Sequence, residues 1–173
     1  MFDRKIIVVT GAAGGLGNAL AEHLSKYECD LILVDLHPIQ NEHIYKSNAK
    51  IHSYEVNLQH ENQIVSFTND IKNKFQHVDI LINNAAYLYY DPVHELSSEE
   101  WDKVMNVNLR GTFLVTKYIS RLMIPHSKGK IVNVSSVAAI SGVVGGAAYS
   151  ASKAGIIGFT RILAKELAEY NIN

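Results

Sequence analysis

The 173-residue chain is short of several things: it has one cysteine, three prolines and no surplus of either charge, 16 Lys and Arg standing against 17 Asp and Glu. A lone Cys29 cannot form an internal disulfide, so no oxidising compartment is needed and the cytoplasm is the expected location. Balanced charge, with no run of like charge longer than two, excludes the basic surface that a nucleic-acid groove or an anionic membrane would call for. The first apolar stretch, Ile6–Val9, runs into a glycine turn, too short for a signal peptide or a membrane span. The eight histidines show no pair at the i, i+4 helix spacing and no carboxylate repeat around them, so no metal is expected. Repeats, low-complexity tracts and linkers are also missing. Residues 1–173 therefore read as a single domain, and 47% hydrophobic residues suffice for one core.

What is present is an alternation of short β-branched runs with longer helical stretches, the pattern of parallel strands joined by crossover helices. Strands are predicted at Lys5–Thr10, Asp30–Asp35, Lys50–Asn57, Val78–Asn83 and Lys130–Ser135. Helices are predicted near 15–27, 60–75, 98–123 and 149–170, the third opened by Ser97-Ser98-Glu99-Glu100. His37–Ala49 is polar and reads as a loop or short helix. Nearly continuous apolar runs, Ile6-Ile7-Val8-Val9 and Leu31-Ile32-Leu33-Val34, point to strands covered on both faces. The expected class is α/β, a doubly wound parallel sheet of the Rossmann type.

The first strand ends in Thr10-Gly11-Ala12-Ala13-Gly14-Gly15-Leu16-Gly17. Glycines there permit a tight turn, let backbone N–H groups approach a pyrophosphate and seat a helix N-terminus facing it. Asp35 ends the second strand 18 residues after Gly17, near the spacing at which a carboxylate accepts hydrogen bonds from an adenosine ribose. That carboxylate would repel a 2′-phosphate. With no Arg or Lys in the turn or in the five residues after Asp35, NAD is expected over NADP.

Tyr149 and Lys153, four apart at a helix start, share one face. A phenol titrates at roughly 10, and a neighbouring ammonium favours its ionised form, so such a pair makes a tunable proton donor and acceptor. The fifth strand leads into Ser135 and Ser136, and ligands bind at the carboxyl ends of strands in such sheets. One serine and the tyrosine can converge on a single substrate oxygen. Adjacency alone leaves open which serine it is.

Together these residues resemble the short-chain dehydrogenases/reductases of the shorter, single-domain type. The carriers are Thr-Gly-x-x-x-Gly-x-Gly at 10–17, Asn-Asn-Ala-Ala at 83–86, Val-Asn-Leu at 107–109, Ser-Ser at 135–136 and Tyr-x-x-x-Lys at 149–153, in the family's order and spacing across the whole chain. The resemblance implies a catalytic group of Asn108, Ser136, Tyr149 and Lys153, the 13-residue interval to Tyr149 selecting Ser136. It implies that Tyr149 moves the proton of an alcohol or ketone, that Lys153 also bonds the nicotinamide ribose, and that Asn108 holds a water relaying protons from Lys153. Cofactor contacts are implied at Gly11, Gly15, Leu16, Gly17, Asp35, Asn83, Ala85, Tyr149 and Lys153. Asn57 stands where the family often has Asp facing the adenine. Homodimers or homotetramers, paired through the helices near 98–123 and 149–170, are implied as well.

The resemblance also implies more chain than is here. Family members begin a sixth strand where this sequence stops at Tyr170-Asn171-Ile172-Asn173, so truncation and an unpaired edge on the fifth strand are expected. A second reading follows: a nucleotide-binding or interaction module without catalysis. A third, an epimerase or dehydratase, is disfavoured by the three-residue gap between Gly11 and Gly15. Val137–Ala148, rich in small and apolar residues, reads as the apolar wall of a modest pocket or as an ordinary packed turn.

Overall fold

The computed structural model describes residues 2–39 and 48–173. Five strands form one parallel sheet: β1 (Ile6–Thr10), β2 (Asp30–Asp35), β3 (Lys50–Glu55), β4 (Ile80–Asn83) and β5 (Lys130–Asn133), in the spatial order β3-β2-β1-β4-β5. The chain thus winds outward from β1 to β3, then returns to lay β4 on the other side of β1. That reversal opens a crevice between the carboxyl ends of β1 and β4, the position at which doubly wound sheets bind ligands. The observed class is the expected one, a Rossmann-type α/β sheet.

The two central strands are buried throughout or nearly so, as their apolar runs require. Side chains alternate between two cores. Val8, Ile32 and Leu81 pack with Ile64, Phe67 and Ile119, while Ile7, Val9, Leu31 and Leu33 pack with Ala21 and Leu24. The outer strands β3 and β5 are only partly covered.

Helices α1 (Gly15–Leu24) and α2 (Glu61–Phe75) fall close to their predicted places. The predicted helix over 98–123 is three pieces: α3 (Ser98–Met105), a π-helical turn (Asn106–Arg110) and α4 (Gly111–Met123). Its start signal works as read, Ser97 Oγ accepting from the Glu100 N–H at 3.2 Å. A four-residue helix that the sequence pattern did not indicate, α5 (Ala138–Ser141), precedes α6 (Ala147–Glu166), which begins two residues earlier than predicted and ends in a 3-10 turn, Ala168–Tyr170. Strands β3 and β5 end two residues earlier than predicted, where the chain leaves the sheet at Val56 and Val134, and β4 begins two residues later, at Ile80. Of the polar segment 37–49, residues 40–47 lie outside the described residues.

The expectation of an unpaired β5 edge is corrected in part. The Ile131 N–H donates to the Asn173 carbonyl at 2.7 Å, the Asn173 N–H donates to the Gly129 carbonyl at 3.2 Å, and Ile172 is buried at 1% exposure. The last residues therefore line the start of β5, because Ile172 gains a place in the core by doing so. Among the described residues no helix is long and apolar enough to cross a membrane, and no three His, Cys, Asp or Glu side chains gather to hold a metal ion.

Candidate active site

The glycine turn and the turn after β4 are stitched together across the crevice. Thr10 Oγ1 accepts from the N–H groups of Asn84 and Ala85, both at 3.1 Å, and Asn84 Nδ2 donates to the carbonyls of Thr10 and Gly11, both at 3.1 Å. This close approach dictates Gly11: its φ is +67°, and a Cβ there would stand 2.6 Å from Ala85 Cα. Gly17 is dictated as firmly, since a Cβ would fall 2.0 Å from the Gly11 carbonyl oxygen. Gly15 differs, with open space where its Cβ would be.

Helix α1 starts at Gly15 with no side-chain cap and no acid in its first turn, whereas α2 and α3 carry Glu61, Glu99 and Glu100 there. Its first turn thus carries no carboxylate of its own to compete for the N-terminal N–H groups, a setting that suits a phosphate. Asp35 stands beside it. One carboxylate oxygen accepts from the Ala13 N–H at 2.9 Å and the other from the His37 N–H at 3.1 Å.

Gly11, Asp35, Asn57 and Ala85 line one cleft of about 370 Å³, together with Leu58, Tyr87, Lys103 and Val107. Asn57 Oδ1 accepts from the Gln59 N–H at 3.0 Å, which turns the chain and holds that wall. The side chain of Asn83 lies elsewhere: buried, it donates to Thr116 Oγ1 at 2.9 Å and Asn133 Oδ1 at 2.8 Å. It joins β4 to β5 and α4, and its motif neighbour Asn84 forms the crevice seam. Leu16 is 55% exposed at the start of α1. A dinucleotide fits the features present: a glycine with no side chain to fill its approach, an uncapped helix N-terminus, and a carboxylate lining the cleft.

The expected acid/base residues gather past the carboxyl end of β5. Lys153, 2% exposed, donates from Nζ to the Val134 carbonyl at 2.8 Å and lies 5.8 Å from the centroid of the Tyr149 ring. Burial pushes its ammonium below the ordinary lysine value of 10.5. Ser135 donates its hydroxyl to the Lys153 carbonyl at 2.9 Å, so its proton anchors α6 to the strand end. Ser136 Oγ accepts from the Ala138 N–H at 3.2 Å, an arrangement that leaves its own proton to donate. The two adjacent serines are thus told apart by where their hydroxyls go.

Asn108 is wholly buried within the π-helical turn, not on a solvent-facing helix surface. Its Oδ1 accepts from the Tyr87 N–H at 2.7 Å, and its Nδ2 donates to the Tyr87 carbonyl at 3.0 Å and to Ser152 Oγ at 3.1 Å. The side chain implied to hold a water therefore has protein partners for both amide protons. Sequence reasoning missed Thr10, Asn84, Tyr87, Lys103 and Ser152. Thr10, Asn84 and Ser152 lie inside the quoted motifs, whereas nothing local marks Lys103, which α3 brings to the cleft from 68 positions beyond Asp35.

Sheet order, crevice and strand-end residues define a Rossmann-type nucleotide-binding α/β protein. A family model described as short chain dehydrogenase matches residues 5–173, and the chain belongs to that family of oxidoreductases. It is 40% identical to a 3-oxoacyl-[acyl-carrier-protein] reductase of Aquifex aeolicus, over 97% of this chain and 70% of that protein. It is 37% identical to an NAD-dependent glycerol dehydrogenase of Listeria innocua, over 98% and 67%. Among solved structures, NAD+-bound xylitol dehydrogenase is similar with a TM-score of 0.91 at 33% identity, covering 99% of this chain and 68% of that one. Levodione reductase gives a TM-score of 0.93 at 29% identity, covering 100% and 70%.

Proposed function

We propose that residues 1–173 form one dinucleotide-binding domain that interconverts a secondary alcohol and a ketone, with NAD as cofactor and Tyr149 and Lys153 as the acid/base pair. The observation that carries this reading is Lys153: an ammonium buried against the Val134 carbonyl, beside Tyr149, at the carboxyl end of β5. Burial of a charge at a strand end is an expense that sites of proton transfer repeatedly accept.

Gly11, Gly15, Gly17, Leu16 and Ala85 would seat the dinucleotide along the crevice, Asp35 its adenosine ribose and Asn57 its adenine, with Asn83 keeping β4 in register beneath. When bound, the dinucleotide supplies the hydride acceptor or donor. Tyr149 takes the proton from the alcohol or returns it to the ketone, Ser136 donates a hydrogen bond to the same oxygen, and Lys153 holds a positive charge beside the ring. Asn108 holds the turn after β4 against α6. Asp35 also supports NAD over NADP, since a 2′-phosphate would bring negative charge against a carboxylate already on the Ala13 and His37 N–H groups.

The test is to mix the chain with NAD+ and a panel of secondary alcohols and follow the NADH absorbance. Turnover that disappears in Tyr149→Phe is expected, and Asp35→Ser narrows the ratio of NADP to NAD dissociation constants. The binding-module reading finds support in the exposed apolar residues beside Ser136, Val137 at 77% and Ile140 at 85%, which leave the substrate side open. Calorimetric binding of NAD+ without turnover of any alcohol would decide for it.

Pairing of copies through α4 and α6 is proposed from the half-exposed Phe113 and Ile162, with Phe113 and Phe159 in edge contact at 6.0 Å. Light scattering gives the mass that settles it. A cytoplasmic location is proposed from the lone Cys29, which needs no oxidising partner.

A further inference from the structure

Between Tyr149 and Lys153 lies Ser152, wholly buried, with no part in the proton transfer described above. Its hydroxyl donates to the Tyr149 carbonyl at 2.8 Å and accepts from Asn108 Nδ2 at 3.1 Å. A serine bonding back to a carbonyl one turn earlier is common within helices. Here the same oxygen also receives a donor from another element, and that donor is itself fixed, because the Asn108 amide is closed on both backbone groups of Tyr87. The bonds run without a break from the cleft wall at Tyr87, through the π-helical turn, to the first turn of α6.

We propose that Ser152 is a positioning residue for the proton transfer: it ties the backbone of Tyr149 to Asn108 and so fixes where the tyrosine hydroxyl stands relative to Ser136. The inference rests on the oxidoreductase reading of the same site. Its physical basis is that Tyr149 is only partly buried and sits in the first turn of α6, where an intrahelical ladder is least constraining. Gly146, at the N-cap of helix α6, offers no side-chain cap, so the early turn lacks the usual terminal restraint. Ser135 and Lys153 anchor it on the β5 side, and the Ser152–Asn108 bond holds the opposite side. Without the serine hydroxyl, one Asn108 proton loses its acceptor in a closed interior and the turn is held from one side only.

The experiment pairs Ser152→Ala with Ser152→Thr, which keeps the hydroxyl, in protein labelled with 13Cζ-tyrosine, the Tyr149 signal being assigned through Tyr149→Phe. For Ser152→Ala, kcat falls by about ten- to a hundredfold while KM for NAD+ is unchanged, and the Tyr149 signal alone among the tyrosines shifts or broadens. Ser152→Thr restores both. A folded Ser152→Ala protein with wild-type kcat and an unmoved Tyr149 signal overturns the proposal. If Ser152→Ala does not fold, Ser152→Cys replaces it, since a thiol fills the space and hydrogen-bonds weakly. If the wild-type chain turns over no alcohol, the oxidoreductase reading fails on its own, and the Tyr149 signal still decides the role of Ser152.

Discussion

Lys153 holds a nearly buried ammonium on the Val134 carbonyl oxygen. Because burial lowers its folded value below the 10.5 of an exposed lysine, the charge is lost as pH rises through that lowered value. Turnover that needs the cation should accordingly decline on the alkaline side before pH 10.5, read as kcat/KM against pH. The stability term has its own sign: between the folded and unfolded values the unfolded chain binds more protons, so this group's contribution to stability rises with pH in that window. Lys153→Met is expected to keep the fold and reduce turnover by about 10²–10⁴, measured by thermal melting beside the NADH assay. Cys29 shows the opposite use of burial. Burial first, then the charges of Asp30 and Asp3, push its thiol up to about 11, so a thiol reagent should label it only after denaturant unfolds the chain.

Within the glycine turn, Gly15 and Gly17 separate binding from folding. Gly17→Ala places a Cβ 2.0 Å from the Gly11 carbonyl oxygen, and a loss of several kcal/mol, about 2–4, is expected in denaturant titration. Gly15→Ala meets nothing and should leave the melting temperature at or above wild type while weakening NAD+ binding in calorimetry. Equal stability losses in both variants would sink the distinction. The glycine turn, Asp35 and the five strands were legible because each is encoded by neighbours: β-branched runs, turn residues and a fixed interval. The π-helical turn was not, since residues 98–123 keep a helical pattern through Asn106–Arg110 and one widened turn leaves no mark in the spacing. The same holds for α5, four residues hidden in a glycine-rich stretch. Roles that depend on where one atom points, such as Asn83 inward, Asn84 across the crevice or Ser135 onto α6, are set by tertiary contacts and could be assigned only from them.

Across the whole molecule, the two ends of the sheet carry different tasks. At the amino end, Asp79 is 6% exposed and accepts from the Ile6 N–H at 3.1 Å and Lys5 Nζ at 3.0 Å, with Lys128 Nζ at 3.4 Å. Burial alone would raise its carboxyl, but the Ile6 N–H and the two ammoniums outweigh it and hold it below the ordinary 3.8. A depressed carboxyl stabilises above its unfolded value and loses that contribution as pH falls through the folded one. Asp79→Asn should therefore lower stability by about 1–3 kcal/mol at neutral pH and flatten the decline below roughly pH 4, seen in melts across pH. At the carboxyl end, the residues facing the cleft from β1, β2 and β3 and those gathered past β5 come from opposite flanks, linked through the seam of Thr10 with Asn84 and Ala85 and through Tyr87, which reaches Ser152 by way of Asn108. The residues proposed to choose the cofactor and those proposed to move the proton are then separate inheritances. Asp35→Ser and Ser152→Ala should combine additively, within about 0.5 kcal/mol, whereas Thr10→Val, at the hinge of the two lineages, should diminish both traits at once.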